Sequence, residues 1–170
     1  MLGSSRSAVV AGYATANQRA HACAVAVQTR GPSSRRARIY ATWYPEGSES
    51  RPDLYFAVAD NGRRFGQRRQ VHTSATSIPD HARMVVDRQG RAVIVWEAST
   101  AVRRRILLRY TVDGGRTLSP IQTLSTAVKA WEPDIALAAD GGFLVAWHEE
   151  QFPHVKTVVQ TIRVASSGAR

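Results

Sequence analysis

A phrase recurs three times along this chain, at a step of a little over fifty residues. Arg38-Ile-Tyr-Ala-Thr-Trp43 returns as Arg91-Ala-Val-Ile-Val-Trp96 and again as Gly142-Phe-Leu-Val-Ala-Trp147, so the Trp residues lie 53 and 51 residues apart. Two further markers keep a similar step: Pro79-Asp80 returns as Pro133-Asp134, and Asp60-Asn61-Gly62 as Asp113-Gly114-Gly115. A period near fifty marks a repeat architecture. Each unit is too small to bury its own apolar face, so stability has to come from neighbours stacked in series.

Within the units every well-patterned segment is a short strand, and no amphipathic helix of useful length appears. In the second unit the strands are expected at Ala82 to Asp87, Ala92 to Glu97, Arg105 to Val112 and Ile121 to Leu124, with turns at Asp87-Arg88-Gln89-Gly90 and Asp113-Gly114-Gly115. The first unit matches with Cys23 to Val27, Ile39 to Trp43, Leu54 to Ala59 and Gln70 to His72, and the third with Ile135 to Ala139, Phe143 to His148 and Val155 to Val164. Four short strands joined by tight turns make a propeller blade. The expected fold is therefore all-β, a partial β-propeller of about three four-stranded antiparallel blades with the last incomplete. Residues 1–20 form an N-terminal segment with an orphan strand at Ser7 to Val10, and residues 21–170 carry the units 21–72, 79–124 and 133–170. Three blades are fewer than the four to eight that normally close a ring. The chain reads as a fragment of a longer protein or as a half-ring that dimerises, and open blade edges at both ends predict self-association.

The net charge of +10 raises the question of nucleic acid. All basic residues except Lys129 and Lys156 are Arg, scattered along the chain, and neither an RNA-binding aromatic signature nor a helix-turn-helix pattern accompanies them. No specific nucleic-acid partner is expected, and no run approaches the roughly 18–20 apolar residues that span a bilayer. The segment Met1 to Ala11 lacks the apolar stretch of a signal peptide. The single cysteine, Cys23, leaves the redox compartment open, and its place in a strand pattern predicts a buried inert thiol.

The segment Tyr110-Thr-Val-Asp113-Gly-Gly115-Arg-Thr-Leu118 resembles the Asp-box, or BNR repeat, of sialidases, with Thr111, Asp113 and Gly115 on the pattern and Leu118 in place of its aromatic. Val58-Ala-Asp60-Asn-Gly62-Arg-Arg-Phe65 matches at Asp60, Gly62 and Phe65 and departs at Val58, while the third copy has Ser166 in place of the Asp. The resemblance implies a sialidase-like propeller, and a secreted or cell-surface location for a full-length parent. Physically the box is a turn device: the carboxylate accepts backbone N–H groups, the glycine takes a conformation other residues avoid, and the apolar residue plugs between strands. Asp60, Gly62, Phe65, Asp113 and Gly115 are accordingly expected to be structural, and neither a metal nor a cofactor is expected.

In an up-and-down meander the loops opposite the Asp-boxes share one face, and the family resemblance places substrate sites there. That face is expected to carry Asp80, His81, Glu97, Trp131, Glu132, Asp134, His148 and Glu149, besides Glu46, Glu49, Glu150 and His154. Trp43, Trp96 and Trp147 share one pleat parity and are expected to pack between blades, whereas Trp131 is placed to stack on a sugar ring. The sialidase resemblance implies an arginine triad, a Tyr–Glu nucleophile and an Asp acid/base drawn from a whole ring. No residue here can be given a triad role. Three functions remain open: a glycan-binding or glycan-acting module without a complete active site; an exo-sialidase-type hydrolase once completed by further blades or a second chain; and a protein-interaction scaffold or inactive truncated fragment.

Overall fold

The computed structural model describes residues 20–29, 37–45, 53–60 and 64–165. The expected orphan strand, Gly62 of the first box, Glu46, Glu49 and the turn at Ser166 lie outside the described residues. The described chain is all-β, in three antiparallel sheets. The first holds β1 (Ala20–Thr29), β2 (Ala37–Pro45), β3 (Leu54–Asp60), β4 (Arg64–Phe65) and β5 (Arg69–His72). The second holds β6 (Ile78–Val86), β7 (Ala92–Ser99), β8 (Arg104–Thr111) and β9 (Gln122–Thr123). The third holds β10 (Ala130–Leu137), β11 (Phe143–Gln151) and β12 (His154–Ile162). Each sheet is a meander in chain order. The one refinement in the first sheet is that its fourth strand is split, with β4 and β5 both pairing with β3.

Glycine sets the matching hairpins. Gly90 (φ 83°) and Gly141 (φ 79°) sit 51 residues apart and donate their N–H to Asp87 O and Ala138 O at 3.1 and 3.0 Å. Those φ values suit a residue without Cβ.

The sheets stack face to face in sequence order, as consecutive propeller blades do. Strand β7 shows why. Its Ala92, Ile94, Trp96 and Ala98 pack with Tyr40, Leu54, Phe56 and Val71 of the first sheet. Its Val93 and Val95 pack with Ile106, Leu108, Phe143, Val145 and Trp147, joining the second sheet to the third. Alternation thus buries both faces of the middle sheet. Trp43, with Ala41, Ala57 and Phe65, lies on the face of the first sheet turned away from the second. All three repeat tryptophans therefore point to the same side of their sheets, and the expected packing role holds at Trp96 and Trp147.

Strand pairing also corrects one repeat marker. Asp80 pairs with Glu97 as Trp131 pairs with His148, and Arg83 with Val95 as Asp134 with Ala146. The structural step between these sheets is 51, so Pro133-Asp134 occupies the place of Ala82-Arg83, not of Pro79-Asp80. An offset wrong by three turns every side chain to the opposite face.

Part of the arginine surplus works between layers. Arg91, paired with Asp87, donates from Nη1 to Val164 O at 2.6 Å and from Nη2 to Gly141 O at 3.0 Å. Arg69 Nε donates to Gly115 O at 2.8 Å, and Arg109 Nη1 to Gln70 O at 3.0 Å. These bridge neighbouring sheets.

The turn at Asp113 is fully satisfied. Asp113 Oδ1 accepts from Thr111 Oγ1 (2.8 Å), Arg116 N (2.8 Å) and Thr117 N (3.0 Å), Oδ2 accepts from Thr117 Oγ1 (2.7 Å), and Gly115 N donates to Thr111 Oγ1 (2.9 Å). At the matching place in the first sheet Val58 replaces that hydroxyl, and Asp60 meets Arg38 Nε at 2.6 Å. Partial burial disfavours the Asp113 charge, yet the hydrogen bonds from Thr117, Thr111 and Arg116 outweigh it and hold the carboxyl at about 2, against an ordinary 3.8. A depressed carboxylate stabilises the fold above its unfolded pKa, and that contribution fades as pH falls through the folded one. Urea midpoints are therefore expected to drop between pH 4 and 2 in the parent chain. The drop should be shallower in Asp113→Ala, which at neutral pH is less stable by about 1–3 kcal/mol.

Candidate functional site

At the end of the stack away from the Asp113 turn, both β6 and β10 carry a bulge just after they begin. The register slips between Asp80 and Arg83 and between Trp131 and Asp134. In each bulge one residue adopts left-handed backbone: His81 (φ 49°) and Glu132 (φ 53°). They are 51 residues apart and hold equivalent places. Side chains other than glycine rarely adopt such φ values, and strain of this kind concentrates at functional sites.

Glu97, whose side chain is 2% exposed, joins the two bulges. Its Oε1 accepts from Ser99 Oγ at 2.8 Å and lies 3.4 Å from Arg104 Nε. Its Oε2 accepts from the backbone N of Glu132 at 3.4 Å and lies 3.6 Å from His81 Nδ1. His81 Nδ1 is also 3.5 Å from Asp80 Oδ2, and Asp80 Oδ1 accepts from the His81 backbone N at 2.7 Å. Across the seam, half-buried Trp131 lies against His148 with ring centroids 6.2 Å apart, and His148 Nε2 stands 4.0 Å from Glu132 Oε2.

Of the eight residues expected on this face, six are brought together: Asp80, His81 and Glu97 from the second sheet, and Trp131, Glu132 and His148 from the third. They occupy strand ends and bulges, not loops, because pairing continues past each bulge. Two stand apart. Asp134 is exposed further along β10, where among the described residues it accepts from the next backbone N–H, Ile135 N, at 2.8 Å. Glu149 is turned into the seam between the second and third sheets and is 3% exposed. It accepts from Trp147 Nε1 at 2.9 Å and pairs with Lys156 Nζ at 3.4 Å. Burial opposes its charge, but the bonds from Trp147, Lys156 and the Thr126 backbone hold the carboxyl below its ordinary range. Glu149 is thus a tie between strands.

Ser99 and Arg104 were not expected at the site. Both are legible in retrospect: Ser99 shares Glu97's face two residues on, and it pairs with Arg104 across the hairpin. At the opposite end, a cavity of about 350 Å³ lies between turns lined by Asp87, Arg88, Gln89, Leu137 and Gly141. Its one carboxylate, Asp87, is already engaged by Arg91. Among the described residues, no three His, Cys, Asp or Glu side chains group as a metal-ligand set.

No family model matches the chain, and no curated protein does. Among solved structures, the chain is similar to an endo-arabinase from Bacteroides thetaiotaomicron, with a TM-score of 0.49 and 10% identity over 75% of this chain and 52% of that one. The chain spans about half the length of that structure. A superposition of this degree carries no argument about activity, and the fold stands on its own strand pairing.

Proposed function

We propose that the chain is a glycan-binding module built on part of a β-propeller, with its ligand seated at the bulged ends of β6 and β10. The observation that carries the reading is half-buried Trp131, flanked by Glu132 and His148. An indole face covers the apolar side of a sugar ring, while carboxylates and imidazoles exchange hydrogen bonds with its hydroxyls. Exposed Asp80 and Glu132 favour neutral over carboxylate-bearing sugars by charge. Glycoside hydrolysis needs two carboxyl groups free to flank the bond. Glu97 is spent on Ser99, Arg104, His81 and the Glu132 backbone, and Asp80 is held by His81, which leaves Glu132 without a second free carboxyl, so binding without hydrolysis is the expected activity of these residues. The sialidase-type alternative rests on the Asp-box resemblance and would draw its missing groups from other blades.

The test is an array of neutral and acidic oligosaccharides, followed by titration calorimetry on the best ligand. Trp131→Ala is expected to weaken binding about tenfold, the loss of one stacking contact. Equal affinity in parent and variant, or no ligand at all, would remove the proposal.

A second reading, self-association, is favoured by the far face of the third sheet. Val155 (58% exposed), Val159 (64%) and Leu144 (37%) lie there, and among the described residues no strand pairs with the outer edge of β12. An apolar face beside a free edge invites another copy. Light scattering is expected to give a mass above 18.6 kDa for the parent chain, shifting toward that monomer value in Val159→Lys. A parent that is monomeric at all concentrations contradicts it.

A further inference from the structure

The seam between the first and second sheets contains polar atoms that no described residue hydrogen-bonds. Among the described residues, His72 Nδ1 and Trp96 Nε1 are both buried without a partner, on residues 4% and 0% exposed. The two rings meet edge to face, with centroids 5.9 Å apart at 67°. Thr42 Oγ1 is a third such atom, on a fully buried residue of β2. Orphaned polar atoms buried in a native core are rare and costly, so several in one seam require an account.

We infer that an ordered internal water bridges Trp96 Nε1 and His72 Nδ1 inside this seam. The chemistry selects water over other occupants. The indole nitrogen can only donate, so the bridging group must accept there. His72 Nε2 faces Ser77 Oγ at 3.0 Å, and either partner can be the donor in that contact. Nδ1 is therefore an acceptor in one tautomer and a donor in the other. Water accepts from the indole and meets either tautomer, which neither a cation nor an anion does. The two rings lie with centroids 5.9 Å apart, close enough for one water to serve polar atoms that do not bond each other directly. Buried waters occupy polar niches of this kind at about one per 27 residues. Burial, the dominant influence on the imidazole, lowers the His72 pKa despite the opposing effects of Ser77 and Asp53, which keeps the ring neutral near pH 7.

The test uses the whole 170-residue chain labelled with ¹⁵N. The Trp96 indole proton is expected to show a cross-peak to a bound water while exchanging slowly with bulk solvent, and His72→Phe should abolish that cross-peak. In parallel, His72→Phe and Trp96→Phe are each expected to lower the folding constant about tenfold, and the double variant by much less than the product, because both single changes break one shared bridge. A slowly exchanging indole proton without water contact, or losses that multiply, would overturn the inference. The parent spectrum decides the matter even if a variant fails to fold.

Discussion

Trp96→Ala is expected to destabilise the chain by about 3–5 kcal/mol, the range for emptying a large aromatic from a core. Single domains have about 5–15 kcal/mol in total, so the variant should be close to unfolding at room temperature. The size of the effect follows from position. Trp96 is fully buried, and it belongs to the cluster that joins the first sheet to the second through Tyr40, Phe56 and Leu54. Each sheet alone has too little core, so a cavity in the seam removes the partner of two layers at once. Half-buried Trp131 provides the control, since its truncation removes no seam contact. Urea unfolding followed by far-ultraviolet circular dichroism should separate the two, with Trp131→Ala within about 1 kcal/mol of the parent. Similar losses in both variants would mean that the sheets do not stack through Trp96.

The second large effect is expected at Gly115. A Cβ there would lie 2.3 Å from Val58 Cγ2 and 3.2 Å from Phe56 Cε1, and the residue has φ 91°. Phe56 is fully buried, so the first sheet cannot yield easily. Backbone strain of about 1–2 kcal/mol adds to about 1–3 kcal/mol of overpacking, giving about 2–5 kcal/mol for Gly115→Ala. Gly114 has a similar φ of 71°, but its Cβ would meet the Arg38 guanidinium, 2.1 Å away at the end of a flexible side chain. The arginine can swing aside, so Gly114→Ala should cost little more than the backbone strain. Thermal melts of the two variants give the comparison, and a reversed order would contradict the packing of the Asp113–Gly115 turn against the first sheet.

Much of this architecture is legible in the chain. Among the described residues each strand expected from alternation and turn chemistry appears, most of them longer by a residue or more because pairing extends into segments whose own pattern is weak, while β9 is shorter than the expected Ile121 to Leu124. The Trp step of 51 between the second and third units is the true structural step, since Trp96 and Trp147 must share a face to pack. The Pro-Asp dipeptide misleads because two matching residues carry no information about pleat parity. The same parity explains the site. Glu149 stands two residues beyond Trp147, so it turns into the seam, whereas His148 turns outward to meet Trp131. The bulges at His81 and Glu132 are not legible, because they arise from pairing with β7 and β11 and not from any local preference of His or Glu for left-handed backbone. The buried polar atoms of His72 and Trp96 are likewise invisible until two sheets are brought together.

The central claim is a division of labour among tryptophans: Trp43, Trp96 and Trp147 are buried core, and Trp131 is the proposed ligand-facing residue. Fluorine NMR of the chain grown with 5-fluorotryptophan tests it directly, with Trp131→Phe assigning the fourth resonance. The expected result is that only the Trp131 resonance shows a solvent-isotope shift, and that it alone moves when a bound oligosaccharide is titrated in. A Trp131 resonance indifferent to both solvent and oligosaccharide, or a ligand shift confined to the Trp96 or Trp147 resonance, would contradict the account.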